Sequence, residues 1–456
     1  MKPNIVFVFA DQLRASSLGF VGEEAVITPN IDALAKRGAV FTTAVSATPI
    51  CGPYRGSLLT GRSAVSTGLV LNDIPLPAES NTIGKTLKGE GYKTAYIGKW
   101  HLDGPDRLAP VPKDRRQGFD LWAAANFEHN YRRSKYFDDL DQPKVWTGFD
   151  AEAQTDRAIE FLNDSERSDP FCLFLSWGPP HNPYRMVPQT YLDMYEPGAL
   201  TPRPNCPDMP REDLWGYYAQ TSFLDTLLGR IIKTIDDLGL FDRTIVVFTS
   251  DHGDMHGSHG VYKKQWPWEE SIRVPFVVSY PPAIAAGSRF QFPISVVDIM
   301  PTLLGLAGIQ VPDSVEGVDL SPCIGGRRAD PPSSVLLMNP CPSTVIDPRG
   351  EDIYPTFQGR RMEYRGVRTS RHTYIRTIEG PWLLYDNVED PYQLENLIDD
   401  PSRRSLREEC DFLMRGHMER IGDELAPREF YYAKFGLEVN QRGQIKNIVQ
   451  NSYPDG

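Results

Sequence analysis

The segment from Cys51 to Arg62, which reads CGPYRGSLLTGR, contains residue types that could perform nucleophilic chemistry. Pro53 fixes its own φ and needs no amide donor, so it suits the first turn of a helix that Gly61 would end. Cys51 would then lie at the positive end of this helix, where unpaired amides and the macrodipole favour an anion. The segment predicts a thiol placed to act on an anionic group; the alternative is a cysteine that packs as a small buried hydrophobe.

Polar side chains also follow four short apolar runs. The composition of these runs is typical of parallel strands buried on both faces. Because chemistry in such sheets collects at the carboxyl ends of strands, we expect the residues that follow to meet at one rim. The runs are Ile5–Ala10, Thr94–Gly98, Phe171–Trp177 and Thr244–Ser250, and the residues that follow them are Asp11 and Gln12, Lys99 and His101, His181, and Asp251 and His252. A fifth run of the same composition, Phe276–Ser279, also predicts a parallel strand.

Two of these rim positions together predict a metal site. Asp11-Gln12 and Asp251-His252 offer two carboxylates, an amide oxygen and an imidazole, which suffice for one hard divalent cation. The amide and the imidazole reduce the negative charge, so Ca²⁺ is the first choice, with Mn²⁺ or Mg²⁺ as alternatives. For Asp11 alone, the competing interpretation is a cap or turn residue after a strand.

The Cys51 segment resembles the signature by which type I sulfatases, of the alkaline-phosphatase-like superfamily, have a cysteine oxidised to Cα-formylglycine. That signature is Cys-x-Pro-x-Arg, then four residues, then Thr-Gly. Ser250–Gly253 resembles the second metal-binding stretch of the family, and Gly98–Leu102 is similar to its Gly-Lys-Trp-His stretch. The similarity covers 4–309 and, more weakly, 385–397.

The resemblance implies a sulfuric ester hydrolase whose Cys51 is oxidised by a formylglycine-generating enzyme. The hydrated aldehyde would attack sulfur and form a covalent sulfo-enzyme. The implied catalytic residues are Cys51, Arg55 beside the nucleophile, Lys99 and Lys264 on the sulfuryl oxygens, His181 as proton donor to the leaving alcohol and His101 as proton acceptor in sulfate release. The implied metal ligands are Asp11, Gln12, the modified Cys51, Asp251 and His252; Lys263 adjoins Lys264 and is the alternative lysine.

Two other functions stay open. Phosphonate monoester hydrolases and phosphodiesterases of the superfamily resemble this chain in the modified cysteine and the Asp-Gln plus Asp-His metal set. They typically lack the Lys and His of the Gly-Lys-Trp-His stretch, so a sulfatase is favoured. An inactive protein that binds sulfated ligands is the alternative of another class, and it predicts an unmodified Cys51.

His256 and His259 lie in the same stretch as Asp251 and suggest a zinc site as an alternative. Their spacing lacks partners of a zinc-protease type. The sulfatase stretch also contains a His at the position of His259, so we interpret His259 as structural and leave His256 open.

Composition limits the function classes. The 456 residues carry a net charge of −12, which gives a nucleic-acid partner no global electrostatic support. The six cysteines are scattered and resemble reduced thiols. An apolar run begins within a few residues of Met1, and no run approaches the roughly 20 residues that span a bilayer. We therefore expect a cytoplasmic protein without a membrane partner.

The predicted fold is a doubly wound, mostly parallel α/β sheet with helices on both faces, followed by a smaller α+β subdomain with an antiparallel sheet. The predicted division is 1–355 for the catalytic domain and 356–456 for the subdomain and tail. The Pro- and Gly-rich residues 342–359 predict a loop, and Arg365–Arg376 and Trp382–Tyr385 predict antiparallel strands. Residues 105–146 are irregular and aromatic and are expected to form active-site walls. A polar stretch there suits a sugar or a second anionic group, and a small sulfated sugar or aryl ester is the preferred substrate class. Its residues are Asn126, His129, Tyr131, Arg132, Arg133 and Lys135.

Overall fold

The computed structural model describes residues 2–164, 169–326, 330–346, 352–353 and 356–448. Within them, ten strands form one central sheet. In chain order they are β1 (Asn4–Asp11), β2 (Ala39–Phe41), β3 (Lys93–Lys99), β4 (Leu121–Ala125), β5 (Lys135–Phe137), β6 (Pro143–Val145), β7 (Phe171–Pro180), β8 (Thr244–Ser250), β9 (Phe276–Ser279) and β10 (Ser288–Phe290). Their order across the sheet is β10-β2-β9-β8-β1-β7-β3-β4-β5-β6.

The middle of this sheet is parallel, as the sequence predicts. β8, β1, β7, β3 and β4 are consecutive neighbours and all run in one direction. The apolar run Phe276–Ser279 was expected to be a further parallel strand, and this expectation is wrong: β9 pairs antiparallel with both β8 and β2. A strand buried on both faces is apolar whether it runs parallel or antiparallel to its neighbours. The composition of the run therefore does not predict the direction of the strand in the sheet.

Helices cover both faces of the sheet. Alternate residues of β1 enter two different cores: Phe7 packs on one face, and Val6 and Val8 pack on the other. Successive side chains of a strand point to opposite faces, and both faces of this sheet are buried. These strands are therefore apolar at successive positions rather than only at alternate ones. On the Phe7 face lie α2 (Cys51–Thr60), α3 (Ile83–Gly89) and α6 (Val296–Leu306), and on the opposite face lie α1 (Pro29–Arg37), α4 (Asp150–Leu162) and α5 (Arg211–Asp237).

The helix predicted after Cys51 is confirmed. α2 begins at Cys51 and ends at Thr60, and all of its residues are buried. Gly61 follows with φ 65°, a left-handed conformation that glycine adopts without a Cβ penalty. The helix therefore presents its first residue, at the positive end of the helix dipole, to the carboxyl edge of the sheet.

A second, antiparallel sheet lies in the C-terminal part of the chain. Its strands occur in the order β11 (Ser334–Asn339), β12 (Tyr364–Thr369), β13 (His372–Thr377) and β14 (Gly380–Asp386). The predicted strand Arg365–Arg376 is thus a hairpin of two strands. The division at residue 355 stays a prediction, and β11 precedes it.

The small sheet packs between the main body and a helix. Ile375 and Trp382 share a core with Trp266 and Trp268, whereas Val367 and Leu384 on the other face contact the helix α7 (Arg404–Arg420). A shorter helix, α8 (Arg428–Lys434), follows.

The remaining elements are short. Besides short 3-10 helices, they include the α-helical turns Ala64–Thr67, Gln189–Leu192, Glu269–Ile272 and Ser321–Ile324, and the strand pairs Ala44–Val45 with Ile294–Ser295, Val345–Ile346 with Asp352–Ile353, Thr356–Phe357 with Arg360–Arg361, and Leu437–Val439 with Ile445–Ile448. Part of the predicted loop 342–359 lies outside the described residues. Among the residues that are described, no helix has the length and apolar character needed to cross a membrane.

Candidate active site

Four strand ends of the central sheet meet at one place. β8, β1, β7 and β3 are adjacent, and Asp251, Asp11, His181 and Lys99 lie at or just after their carboxyl ends. The start of α2 adds Cys51 to this edge. The expectation that these residues share one rim is confirmed by their contacts.

Cys51 is at the centre of the cluster. Its Sγ lies 3.2 Å from Lys264 Nζ and 3.2 Å from His252 Nε2. Lys99 Nζ is 3.7 Å away and Asp11 Oδ1 is 3.8 Å away. A residue at a helix start that is surrounded by cations is suited to an anionic group, which the sequence predicts for this position.

The electrostatics of the cluster favour a charged sulfur. Burial raises the pKa of the Cys51 thiol and Asp11 adds to this effect, but Lys264, Lys99 and His252 outweigh both and hold the pKa well below its usual value. By contrast, burial alone raises the pKa of Cys172 in β7 to a value above the usual thiol range. Cys51 is therefore in an environment that differs from that of an inert packed cysteine.

Two buried carboxylates and one imidazole lie beside Cys51. The ligand atoms of Asp11, Cys51, Asp251 and His252 all lie within 4.8 Å of one another. His252 Nδ1 donates to the Gly253 carbonyl at 3.0 Å, which leaves Nε2 facing Asp11 Oδ1 at 3.6 Å and Asp251 Oδ1 at 3.5 Å. Burial and the charge of Asp11 raise the pKa of Asp251, since two like charges this close oppose each other.

Gln12 completes this group with an amide. Its backbone adopts φ 71°, and its N–H donates to Asp251 Oδ1 at 3.0 Å. Its side-chain Nε2 donates to Asp254 Oδ2 at 2.6 Å, so the orientation of the amide is fixed. Among the described residues the buried Oε1 has no hydrogen-bond partner, so this oxygen is free to accept from a water or to bind a cation.

Arg55 and Lys99 counter the negative charge. Arg55 contacts Asp251 Oδ2 at 3.1 Å and Asp11 Oδ2 at 3.4 Å, and it donates to the Lys99 carbonyl at 2.7 Å. Lys99 Nζ forms an ion pair with Asp11.

The preceding Gly98 has φ 103°, and a Cβ there would lie 2.0 Å from the Ser176 carbonyl oxygen, so only glycine permits this close approach of β3 to β7.

His181 and Lys264 form a second pair at the mouth of the site. His181 Nδ1 donates to the Asn182 carbonyl at 2.9 Å, so Nε2 is the nitrogen that accepts from Lys264 Nζ at 3.0 Å. Burial, Lys264 and His129 together lower the pKa of His181 well below its usual value. Of the two candidate lysines, Lys264 contacts Cys51, whereas the Lys263 side chain lines a neighbouring cavity.

His101 is held differently from the other candidates. Its backbone has φ 59°, and its Nε2 contacts Asp73 Oδ1 at 3.1 Å instead of reaching Cys51. Asp73 also binds Arg107 at 2.6 Å, and the neighbouring Asn72 accepts from the Gly52 amide at 2.8 Å. The loop that orients His101 is thereby tied to the start of α2.

The polar stretch after β4 has mixed roles. The ring of His129 lies 4.1 Å from that of His181, and the Tyr131 hydroxyl donates to the His181 carbonyl at 2.7 Å. Asn126 is buried and binds the Asp103 backbone, whereas Arg133 and Lys135 are exposed. Arg132 lines the cavity that also contains Lys263.

The zinc alternative has no geometric support in the described residues. His256 packs against Tyr184 and Tyr217, and His259 stacks on Trp268 with ring centroids 4.6 Å apart. Neither belongs to the group around Cys51 whose ligand atoms could hold a metal ion.

Comparison with known proteins agrees with this geometry. Residues 3–309 match the Sulfatase family. The chain belongs to the sulfatase family. It is 43% identical over 443 residues to the ulvan-active sulfatase of Formosa agariphila, across 95% of this chain and 84% of the relative.

Two further relatives support the assignment. The N-acetylglucosamine-6-O-sulfatase of Bacteroides thetaiotaomicron is 26% identical to this sulfatase, across 87% of this chain and 82% of the relative. The structure of the sulfatase yidJ from Bacteroides fragilis superposes with a TM-score of 0.82 at 30% identity, covering 94% and 97% of the two chains. The fold is thus that of the alkaline-phosphatase-like superfamily, and the chain is a sulfuric ester hydrolase.

Phosphonate monoester hydrolases share the fold at greater distance. The enzyme from Agrobacterium radiobacter has a TM-score of 0.73 at 23% identity, across 97% of this chain and 99% of that chain. At this identity the likeness concerns the fold alone. The sulfatase family generally uses a formylglycine and a divalent metal, and the buried group of Asp11, Cys51, Asp251 and His252 has ligand types that fit such an ion.

Proposed function

We propose that this sulfatase hydrolyses a carbohydrate sulfate ester with a formylglycine made from Cys51 and one divalent ion. The observation that carries the proposal is the convergence of four strand ends and the start of α2 on Cys51 Sγ. One relative is named as a sulfatase of N-acetylglucosamine, which supports a sugar as the substrate.

The nucleophile would come from oxidation of Cys51. A formylglycine-generating enzyme is the partner required for this maturation, and the hydrated aldehyde supplies the oxygen that attacks sulfur. The cations around position 51 would hold that oxygen in its ionised form, as they favour an ionised thiol here.

Asp11, Gln12, Asp251 and His252 would hold the ion together with the modified residue 51. Ca²⁺ is the proposed ion, since the donors are mostly oxygens. A bound divalent cation supplies positive charge that stabilises the developing charge on the sulfuryl oxygens. Arg55 contacts both carboxylates, and we assign it to holding them beside residue 51.

Lys99 and Lys264 are assigned to the sulfuryl group. Both ammonium groups face Cys51 Sγ, at 3.7 Å and 3.2 Å. An anionic sulfate placed against Sγ would contact both. Fixed charges of this kind stabilise a transition state without reorganisation.

The two histidines would move protons at opposite ends of the reaction. His181 Nε2 accepts from Lys264 Nζ, so it would first take the proton of that ammonium group and then give it to the leaving oxygen. His101 Nε2 donates to the Asp73 carboxylate, so Nδ1 carries a lone pair; it is buried and has no partner among the described residues. We assign this nitrogen to accept the proton of the second hydroxyl when sulfate is released.

A parallel assay tests the proposal. Purified protein, made with a formylglycine-generating enzyme, is given 4-nitrophenyl sulfate, a panel of carbohydrate sulfates and phenyl phosphonate. We expect turnover of the sulfates and a clear preference for one carbohydrate sulfate. A clear preference for the phosphonate would overturn the proposal, and mass spectrometry showing an unmodified, inactive Cys51 despite the maturation enzyme would favour a binding protein.

Substitution of His181 should affect substrates according to their leaving groups. We expect His181→Ala to lower kcat for a sugar sulfate by about 10²- to 10⁴-fold, because a sugar alkoxide needs a proton as it departs. The loss for 4-nitrophenyl sulfate should be far smaller, because its phenolate is a good leaving group. Steady-state kinetics with both substrates measures the difference; equal losses would show that His181 does not donate this proton.

A further inference from the structure

A cavity of about 640 Å³ opens beside the catalytic group. Asn182 and Lys263, which line it, are the chain neighbours of His181 and Lys264. Its wall also contains Tyr184 and Asp254, both of which contact the Gln12 amide. The cavity is therefore linked to the group around Cys51 through Gln12, and its volume lies in the range of small-molecule sites.

Three cations line this cavity in a protein whose net charge is −12. Arg132 stacks over the Phe149 ring, and among the described residues neither Arg132 nor Lys263 is in an ion pair. Arg185 pairs with Glu212 at 3.0 Å, but both side chains are more than half exposed, and such pairs contribute little to stability. All three cations are therefore available to a ligand.

Two acids also line the cavity, so its three cations outnumber its carboxylates by one. Asp254 Oδ2 accepts from Gln12 and from the Tyr184 hydroxyl, and its Oδ1 accepts from the backbone amides of His256 and Lys263. Its oxygens are thus occupied. Burial and the charge of Asp254 raise the pKa of Asp213, the other acid of the lining, which weakens its tendency to ionise.

We propose that this cavity binds a second anionic group of the substrate, a carboxylate or a further sulfate on the sugar beside the sulfate ester that is cleaved. Arg132, Arg185 and Lys263 are its ligands. The inference rests on the proposed function, and it extends that function from the reacting group to the choice of substrate. Arginine is suited to the task because its planar fork matches the oxygens of a carboxylate or a sulfate.

The test compares matched disaccharides that carry the same cleavable sulfate. The neighbouring sugar is neutral in the first, carries a carboxylate in the second and carries another sulfate in the third; 4-nitrophenyl sulfate serves as the reference. Wild type should favour one of the charged disaccharides over the neutral one by roughly ten- to a hundredfold in kcat/KM, the scale of hydrogen bonds to charged groups. The carboxylate and sulfate arms distinguish the two anions.

The double variant Arg132→Gln/Arg185→Gln should lose this preference, mainly through a higher KM, and keep wild-type turnover of 4-nitrophenyl sulfate. Lys263→Gln alone should lose part of it. Arg133→Gln is the matched control, because Arg133 is the exposed neighbour of Arg132 and does not line the cavity. It should behave as wild type.

The outcomes separate the two proposals. Turnover of 4-nitrophenyl sulfate without a preference for charged disaccharides, or a preference that survives the double variant, overturns the inference alone. An equal loss for all substrates in the double variant also overturns it. Absence of sulfate turnover by matured wild type overturns the proposed function and this inference with it.

Discussion

Replacement of Cys51 by alanine should abolish sulfate ester hydrolysis while the protein stays folded. Removing a covalent nucleophile typically lowers kcat by roughly five to six orders of magnitude, since the remaining groups cannot take over its role. Sγ is also the point on which Lys264, His252 and Lys99 converge. Turnover of 4-nitrophenyl sulfate measures the effect, and circular dichroism with a thermal melt reports the fold.

Cys172→Ala supplies the matched control. Cys172 is as deeply buried as Cys51, but it lies in β7 among apolar side chains. Its replacement should cost some stability through the small cavity and leave kcat unchanged. Undiminished turnover by Cys51→Ala, or equal losses in the two variants, would refute the mechanism.

The shared rim could be predicted from sequence because it follows from a general rule. Parallel strands place their carboxyl ends on one edge of the sheet. Correct assignment of the four strands is therefore enough to predict that the residues after them lie together, namely Asp11, Lys99, His181 and Asp251. The helix at Cys51 was equally readable, since Pro53 and Gly61 mark its ends by backbone chemistry.

The existence of strand β4 and the direction of strand β9 depend on contacts with distant parts of the chain, which leave no pattern in the local sequence. β4 is a five-residue strand within residues 105–146, a charged and aromatic segment whose sequence predicts only irregular structure. β4 becomes a strand because β3 offers it a parallel edge. The direction of β9 is likewise set by its neighbours.

The partner of His101 shows the same limit within the site. The Gly-Lys-Trp-His stretch fixes where the histidine lies in the chain, but not where the ring points. A left-handed backbone at His101 and the anchoring of Asn72 by Gly52 bring Asp73 to the ring. Asp254 was missed for a similar reason: its role becomes visible only when β1 and the loop after β8 place it against Gln12.

Loss of one acid from the proposed metal-binding group should abolish binding of the divalent ion. Asp251→Asn keeps the shape of the side chain but removes a charge from a set that contains only two carboxylates. Substitution of groups that merely support metal ligands costs about 10- to 100-fold in affinity, so loss of a ligand charge should exceed this range for Ca²⁺. Calorimetric titration of chelator-treated protein with Ca²⁺ measures the affinity. Sulfate turnover should fall together with this affinity.

The stability of the same variant gives a readout that does not depend on activity. Burial and the nearby Asp11 charge raise the pKa of Asp251, which means that its charged form opposes folding when no cation is present. In chelator, Asp251→Asn should therefore melt no lower than wild type. Added Ca²⁺ should raise the Tm of wild type, since a ligand that binds only the folded state stabilises it, and should leave the variant unchanged.

Asp150→Asn is the control for these measurements. Asp150 is also a buried acid, but it binds Ser134 and the start of α4 at 2.9 Å and 2.6 Å, away from the group around Cys51. It should keep the calcium response of wild type. A cation at this position must offset the repulsion between Asp11 and Asp251. If the Tm of Asp251→Asn still rises with Ca²⁺ as in wild type, the ion is held elsewhere.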